Sequence, residues 1–239
     1  MNSSKNESYE QAFIIKGENL KNIDALFNTF PGDSKYRIET KDKYENEYED
    51  VKEVLNLENS SLNPIQRITI SSYSLRPSSS IRLSFEKNTY ANIRCSVDAE
   101  KTKARSYFNS LEGKIINTKP WYSRLAKADF ITYSISLFVA FIILVLILAA
   151  LNFFGESTRE LNDQEDAMIR LLGFLIIGSV FGIGWGLNKI RSKIFPDGSF
   201  ALNQGLKKYE LLEKVRWTVF VGGSITMAIS LFFLLFGKL

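Results

Sequence analysis

The side chains best suited to chemistry are three arginines, Arg67, Arg82 and Arg94, each set among small hydrogen-bonding residues. Thr69, Ser71, Ser84, Asn92 and Ser96 alternate through the same stretches. A guanidinium is a planar fork that grips two oxygens at once, so this pattern suits an anionic ligand such as a nucleotide, a phosphorylated headgroup or RNA. RNA-binding sheets place aromatic rings among their basic side chains to stack bases. No ring alternates with these arginines, which makes nucleic acid the disfavoured class. A solvated sheet face is the plainer reading of the same residues.

Catalysis finds little to work with. The chain has 0 histidines, which removes the commonest general base at neutral pH and most zinc sites. No glycine-rich phosphate loop ends in Lys-Ser or Lys-Thr, and no GxGxxG follows a strand. The single cysteine, Cys95, excludes an internal disulfide and falls by alternation on the inward side of its strand. Carboxylates crowd Glu39 to Glu58 but alternate with Lys and Tyr, as on a solvated helix surface. No catalytic residue, metal ligand or cofactor is therefore assigned, and a non-enzymatic protein is expected.

An arginine face needs a sheet to carry it. Ile68 and Ile70, then Ile81, Leu83 and Phe85, then Ala91, Ile93, Cys95 and Val97 alternate with polar neighbours. Such alternation predicts three antiparallel strands, apolar on one side and wet on the other. Gln11 to Ile15 and Tyr36 to Thr40 read as further strands. Leu20, Ile23, Phe27 and Phe30 recur at helical spacing, as do Tyr44, Tyr48, Val51 and Leu55. A closing helix with Ala104, Tyr107, Phe108 and Leu111 on one face is expected after Asp98 as N-cap. The expected fold is an α+β two-layer sandwich over 9–113, an antiparallel sheet with helices on one face, preceded by a flexible segment 1–8.

The C-terminal half reads as an all-α membrane domain of three transmembrane helices. The runs 129–154, 169–190 and 217–237 are long and apolar enough to match a hydrocarbon core of about 30 Å. A juxtamembrane linker (114–128), an acidic loop (155–168) and a basic hairpin with an amphipathic helix (191–216) separate them. The Lys and Arg bias puts the N-terminal domain and the hairpin in the cytoplasm and the C-terminus outside a plasma membrane. Trp121, Tyr122 and Trp217 are expected as interfacial anchors in contact with membrane lipid. Gly178, Gly182 and Gly186 repeat every four residues, and Gly222 opens a similar spacing in the last run. Such stripes let helices approach closely, within one chain or in a homo-oligomer.

Before the last run the order Phe195-Pro196, Phe200, Gly205, Lys207-Lys208-Tyr209-Glu210 and Arg216-Trp217 resembles a stretch of uncharacterised bacterial integral membrane proteins. That resemblance covers about 25 residues and implies no activity. Phe195, Pro196 and Phe200 are expected to dock the hairpin on the membrane or on the preceding domain. The function expected from these features is that of a sensor or effector. Its cytosolic domain would bind an anionic ligand or a protein partner and pass the signal through 114–128 to an oligomeric helical domain. A channel or membrane-disrupting effector, as in bacterial defence, and a scaffold subunit of a larger complex are the alternatives.

Overall fold

Residues 2–75, 78–87, 89, 91–139, 142 and 163–236 are described in a computed structural model. In chain order come β1 (Asn2–Tyr9), β2 (Phe13–Lys16), α1 (Gly17–Phe27), β3 (Ser34–Thr40), β4 (Glu45–Tyr48) and α2 (Val51–Asn56). Then follow β5 (Ile65–Leu75), β6 (Ser78–Glu86), β7 (Ile93–Glu100), α3 (Lys101–Ile116) and α4 (Ser123–Lys127). Helical backbone over 130–139, α5, precedes α6 (Asp163–Ile194), β8 (Gly198–Ala201) and α7 (Gln204–Phe236). Internal packing separates two units, Met1–Lys127 with Ile194–Leu239, and Ala128–Lys193.

The alternating runs form the sheet that the sequence leads one to expect, with more strands. Its order is β1-β7-β6-β5-β3-β4, and every neighbouring pair is antiparallel. Ile68, Ile70, Ile81, Leu83, Phe85, Ile93 and Val97 turn to one side, where they meet Leu20, Ile23 and Phe27 of α1 and Phe108, Leu111 and Ile115 of α3. Burying each such side chain contributes about 1.5–3 kcal/mol. Cys95 lies in this layer, and burial pushes its thiol up to about 11, which makes it an inert core residue.

Three local expectations are revised. Residues 1–8 form β1, paired along its whole length with β7 from Asn2 opposite Glu100 to Tyr9 opposite Ile93. Tyr44 to Leu55 is not one helix. Tyr48 pairs with Tyr36 in β4, and Asp50 then caps α2 by accepting from the Lys52 amide at 2.8 Å. Asp98 lies inside β7, so α3 starts later, at Lys101.

The expected strand near Gln11 exists but joins a different sheet. β2 pairs in parallel with β8, Phe13 opposite Gly198 and Lys16 opposite Ala201. Phe13 packs between Phe85 and Phe200, with ring centroids 5.3 Å from each. Asn59 fastens this second sheet from below, its amide donating to the Phe200 carbonyl at 2.6 Å and its oxygen accepting from the Ile65 amide at 3.0 Å. The segment 114–128 is likewise packed rather than free. Ile14 donates to the Thr118 carbonyl at 2.8 Å, and Ala12 donates to the Ser123 hydroxyl at 3.0 Å.

Lys87 lies beside this second sheet. Its ammonium donates to the Ile65 carbonyl at 2.6 Å and sits 4.8 Å from the Phe200 ring centroid. Burial, with a smaller contribution from Lys208, pulls its pKa down to about 8. The native state therefore sheds this proton before the unfolded chain does. Between about pH 8 and 10.5 the unfolded state binds more protons, so Lys87 makes stability rise with pH across that window. Urea denaturation of the wild type and Lys87→Met should show the wild type gaining about 2–3 kcal/mol relative to the variant from pH 8 to 10.5. Parallel pH profiles would refute the burial of a strained cation here.

The membrane assignment needs correction. The second apolar run belongs to α6, which begins among Asp163, Glu165 and Asp166 and ends with Arg191 and Lys193. The third belongs to α7, whose first part carries Lys207, Lys208, Glu210, Glu213, Lys214 and Arg216. Each run thus shares one rod with a charged segment. Among the described residues no helix is long and apolar enough to cross a membrane. This overturns the all-α domain of three transmembrane helices, the multi-pass placement in a plasma membrane and the orientation derived from it. Most of the first run, 143–154, and the loop to 162 lie outside the described residues.

Within the second unit, Asp129 caps α5 by accepting from the Ile131 amide at 3.1 Å and the Thr132 hydroxyl at 2.6 Å. Asn188 of α6 donates to Asp129 at 2.9 Å and accepts from the Phe130 amide at 2.9 Å. These bonds hold the Asp129 carboxyl well below the usual range.

Candidate functional site

The sheet face turned away from the helices carries ordered rows of polar side chains. One row runs Glu47, Arg37, Thr69, Ser84, Arg94, Ser8 across the strands. The next runs Lys35, Ser71, Arg82, Ser96, Asn6. On the other side lie Glu45, Glu39, Arg67 and Glu86. A cavity of about 440 Å³ opens over the middle of these rows. The three arginines singled out from the sequence all reach it.

Their surroundings differ. Arg67 is clamped between two carboxylates, Nη1 at 2.9 Å from Glu39 Oε2 and Nη2 at 2.6 Å from Glu86 Oε1. The Glu86 hydrogen bond raises its already high pKa. Arg37 leans on Glu47 at 3.4 Å and Glu45 at 3.9 Å. Lys35 shares Glu47 at 2.7 Å, and that contact holds the carboxyl below its usual range. Arg82 and Arg94 are exposed, and neither has a hydrogen bond or an ion pair among the described residues. They stand diagonally across β6 and β7, with Ser84 and Ser96 as their direct neighbours. Asp98 lies one row beyond Arg82, with no ion pair between them. Thr69 and Ser84 share a hydrogen bond at 3.1 Å in the floor between them.

Two contributions escaped the sequence reading. Arg37 follows from the alternation of β3, which placed Tyr36 and Ile38 inward and so turned Arg37 outward. Asn6 and Ser8 come from β1, whose polar sequence carries no apolar period to betray a strand. Asn92, by contrast, leaves the face. It is buried, donates to the Asp197 carbonyl at 3.0 Å and accepts from Lys127 at 3.2 Å.

The residues expected as membrane anchors instead form one aromatic cluster. Trp121 lies 5.6 Å from Trp217, 5.7 Å from Tyr122 and 6.3 Å from Phe195 between ring centroids. Tyr122 is buried beneath Arg216, whose guanidinium stands 4.3 Å from the ring centroid. Phe200 is core in β8, and Pro196 is half-buried just before that strand, so the hairpin docks on the α+β domain. Among the described residues, a Cβ built at Gly178, Gly182, Gly186 or Gly222 would meet nothing within 4 Å. Ser134 of α5 approaches Gly184 instead, 2.9 Å from such a Cβ. On α7, Val219, Phe220, Ile225, Met227, Ile229 and Phe232 are exposed.

Among the described residues no cluster of acidic or thiol side chains could hold a metal ion. Among the described residues the two guanidinium groups on the open face have no ion-pair partner and have hydroxyl neighbours, an arrangement that can bind and neutralise an anion. Comparison with protein-family models, curated proteins and solved structures returns no match.

Proposed function

We propose that this chain is a non-enzymatic binding protein whose open sheet face receives an anionic small molecule at Arg82 and Arg94. The observation that carries this reading is a contrast between neighbours. Arg37 and Arg67 are held by carboxylates, whereas Arg82 and Arg94 lie in the same cavity with none. A bound anion completes the pattern by bridging two forks that otherwise repel one another. Arg67 is the positioning member. It ties β3 to β6 through β5 and keeps Glu39 and Glu86 from collapsing onto the two free guanidinium groups.

Ligand binding is transmitted from Arg94 along the same polypeptide. β7 runs directly into α3, and the end of α3 is fastened to the second sheet through the Ile115 and Thr118 carbonyls, which accept from Gln11 at 3.2 Å and Ile14 at 2.8 Å. An anion that draws β7 toward β6 therefore reports to 114–127 and the docked hairpin.

Calorimetric titration with inorganic phosphate provides the test. The double variant Arg82→Ala, Arg94→Ala should bind at least ~30-fold more weakly, since a hydrogen bond to a charged group is worth roughly 1.5–3 kcal/mol. Wild-type affinity should also fall as salt is added, because the site is open to solvent. Equal affinity in the double variant would remove the proposal.

A further inference from the structure

We infer that the ligand is a phosphorylated sugar or polyol, an inference that rests on the anion-binding reading above. The cavity is bipolar. Arg82 and Arg94 stand at one end, and Glu39 and Glu86 stand at the other, with the Thr69 and Ser84 hydroxyls between them. Ser84 faces Arg94 directly across the strands, and Glu86 lies two residues further along β6. At about 3.4 Å per residue this puts Glu86 roughly 7 Å along the sheet from the row of Arg94 and roughly 14 Å from Arg82. A sugar carrying a phosphate at one end spans such a distance with hydroxyls along its length.

The chemistry of the two ends is specific. Each carboxylate commits one oxygen to Arg67, which leaves Glu39 Oε1 and Glu86 Oε2 without a partner among the described residues. A carboxylate oxygen accepts from a ligand hydroxyl and repels a second phosphate. The site therefore favours one anionic group and a neutral, hydroxyl-rich body over a di- or triphosphate chain. Among the described residues no aromatic side chain lines the cavity, so a purine or pyrimidine finds no ring there to stack on. Asn6, Ser8 and Ser96 add further groups that both donate and accept. Such a lining compensates the desolvation of sugar hydroxyls and offers nothing to an apolar ligand.

The experiment titrates the full chain with inorganic phosphate, ribose 5-phosphate, glucose 6-phosphate and AMP at one salt concentration. At least one sugar phosphate should bind 10-fold or more tightly than inorganic phosphate, and ribose 5-phosphate should bind more tightly than AMP. Thr69→Val should weaken binding of the sugar phosphate about 5-fold more than binding of inorganic phosphate. Equal affinity for inorganic phosphate and both sugar phosphates would overturn the polyol assignment and leave the anion site standing. Tighter binding of AMP than of ribose 5-phosphate would overturn it in favour of base recognition. No binding of any phosphate compound would overturn this inference together with the anion site on which it rests.

Discussion

Replacing Arg216 by methionine should lower the stability of the chain by about 2–4 kcal/mol, read as a shift in the urea midpoint. Arg216 is fully buried, and its roles are several. Its Nε donates to the Ile194 carbonyl at 2.6 Å, one of the acceptors left open at the end of α6. Its Nη1 donates to Glu213 at 2.6 Å, and its plane covers the Tyr122 ring. Methionine keeps much of the volume, so a cavity contributes little, and the loss comes from a stranded carbonyl and an unpartnered carboxylate. Glu213 is only partly buried and also accepts from the Trp121 indole at 3.1 Å, which lets it recover some solvation. Truncating Glu213 as well should therefore restore part of the lost stability. A midpoint within about 0.5 kcal/mol of the wild type would show that the guanidinium is not the tie described here.

Gly32→Ala should be nearly as damaging, at about 3 kcal/mol or more. Gly32 ends the turn after Phe30-Pro31 with a φ of +107°, a conformation that side chains resist. A Cβ there would sit 2.7 Å from the Tyr73 carbonyl carbon and closer still to its oxygen. The obstacle is backbone of β5, which cannot swing away as a side-chain end would. Asparagine, which tolerates many positive-φ positions, should do no better here. Its thermal midpoint separates collision with the strand from simple backbone preference. A normal midpoint for both variants would mean that the turn lies further from β5.

The parts of this molecule that could be read from sequence are those where one side of an element is wet and the other dry. β5, β6 and β7 announce themselves because Ile70, Leu83 and Cys95 alternate with Thr69, Ser84 and Arg94. β1 does not, since its inward members include Lys5, whose ammonium lies 3.6 Å from the centroid of the Phe108 ring. β4 reads as helix because Tyr44, Tyr48, Val51 and Leu55 satisfy a helical spacing, while Tyr44, Asn46 and Tyr48 satisfy a strand's period equally well. The pairing partner decides between them, and that partner is β3.

The three arginines were legible as one face, but their inequality was not. Whether a guanidinium is engaged depends on carboxylates from other strands, and Glu39, opposite Arg67, comes from β3. Window hydropathy, for its part, treated the apolar stretches of α6 and α7 as separate spans. It could not show that each continues without a break into a charged segment of the same helix.

The pairing of Phe13 with Gly198 has a consequence for how the chain comes to be folded. At synthesis rates of ~5–20 residues per second, ~10–40 s separate the appearance of β2 from that of its partner. During that interval the six-stranded sheet can assemble, while Phe13 and Phe85 wait without the ring of Phe200. A nascent chain stalled before residue 198 would expose an apolar edge that the finished molecule hides, and would be prone to clump or to recruit a holding factor. Refolding from denaturant should for the same reason show a slow final phase, set by closure of this long loop.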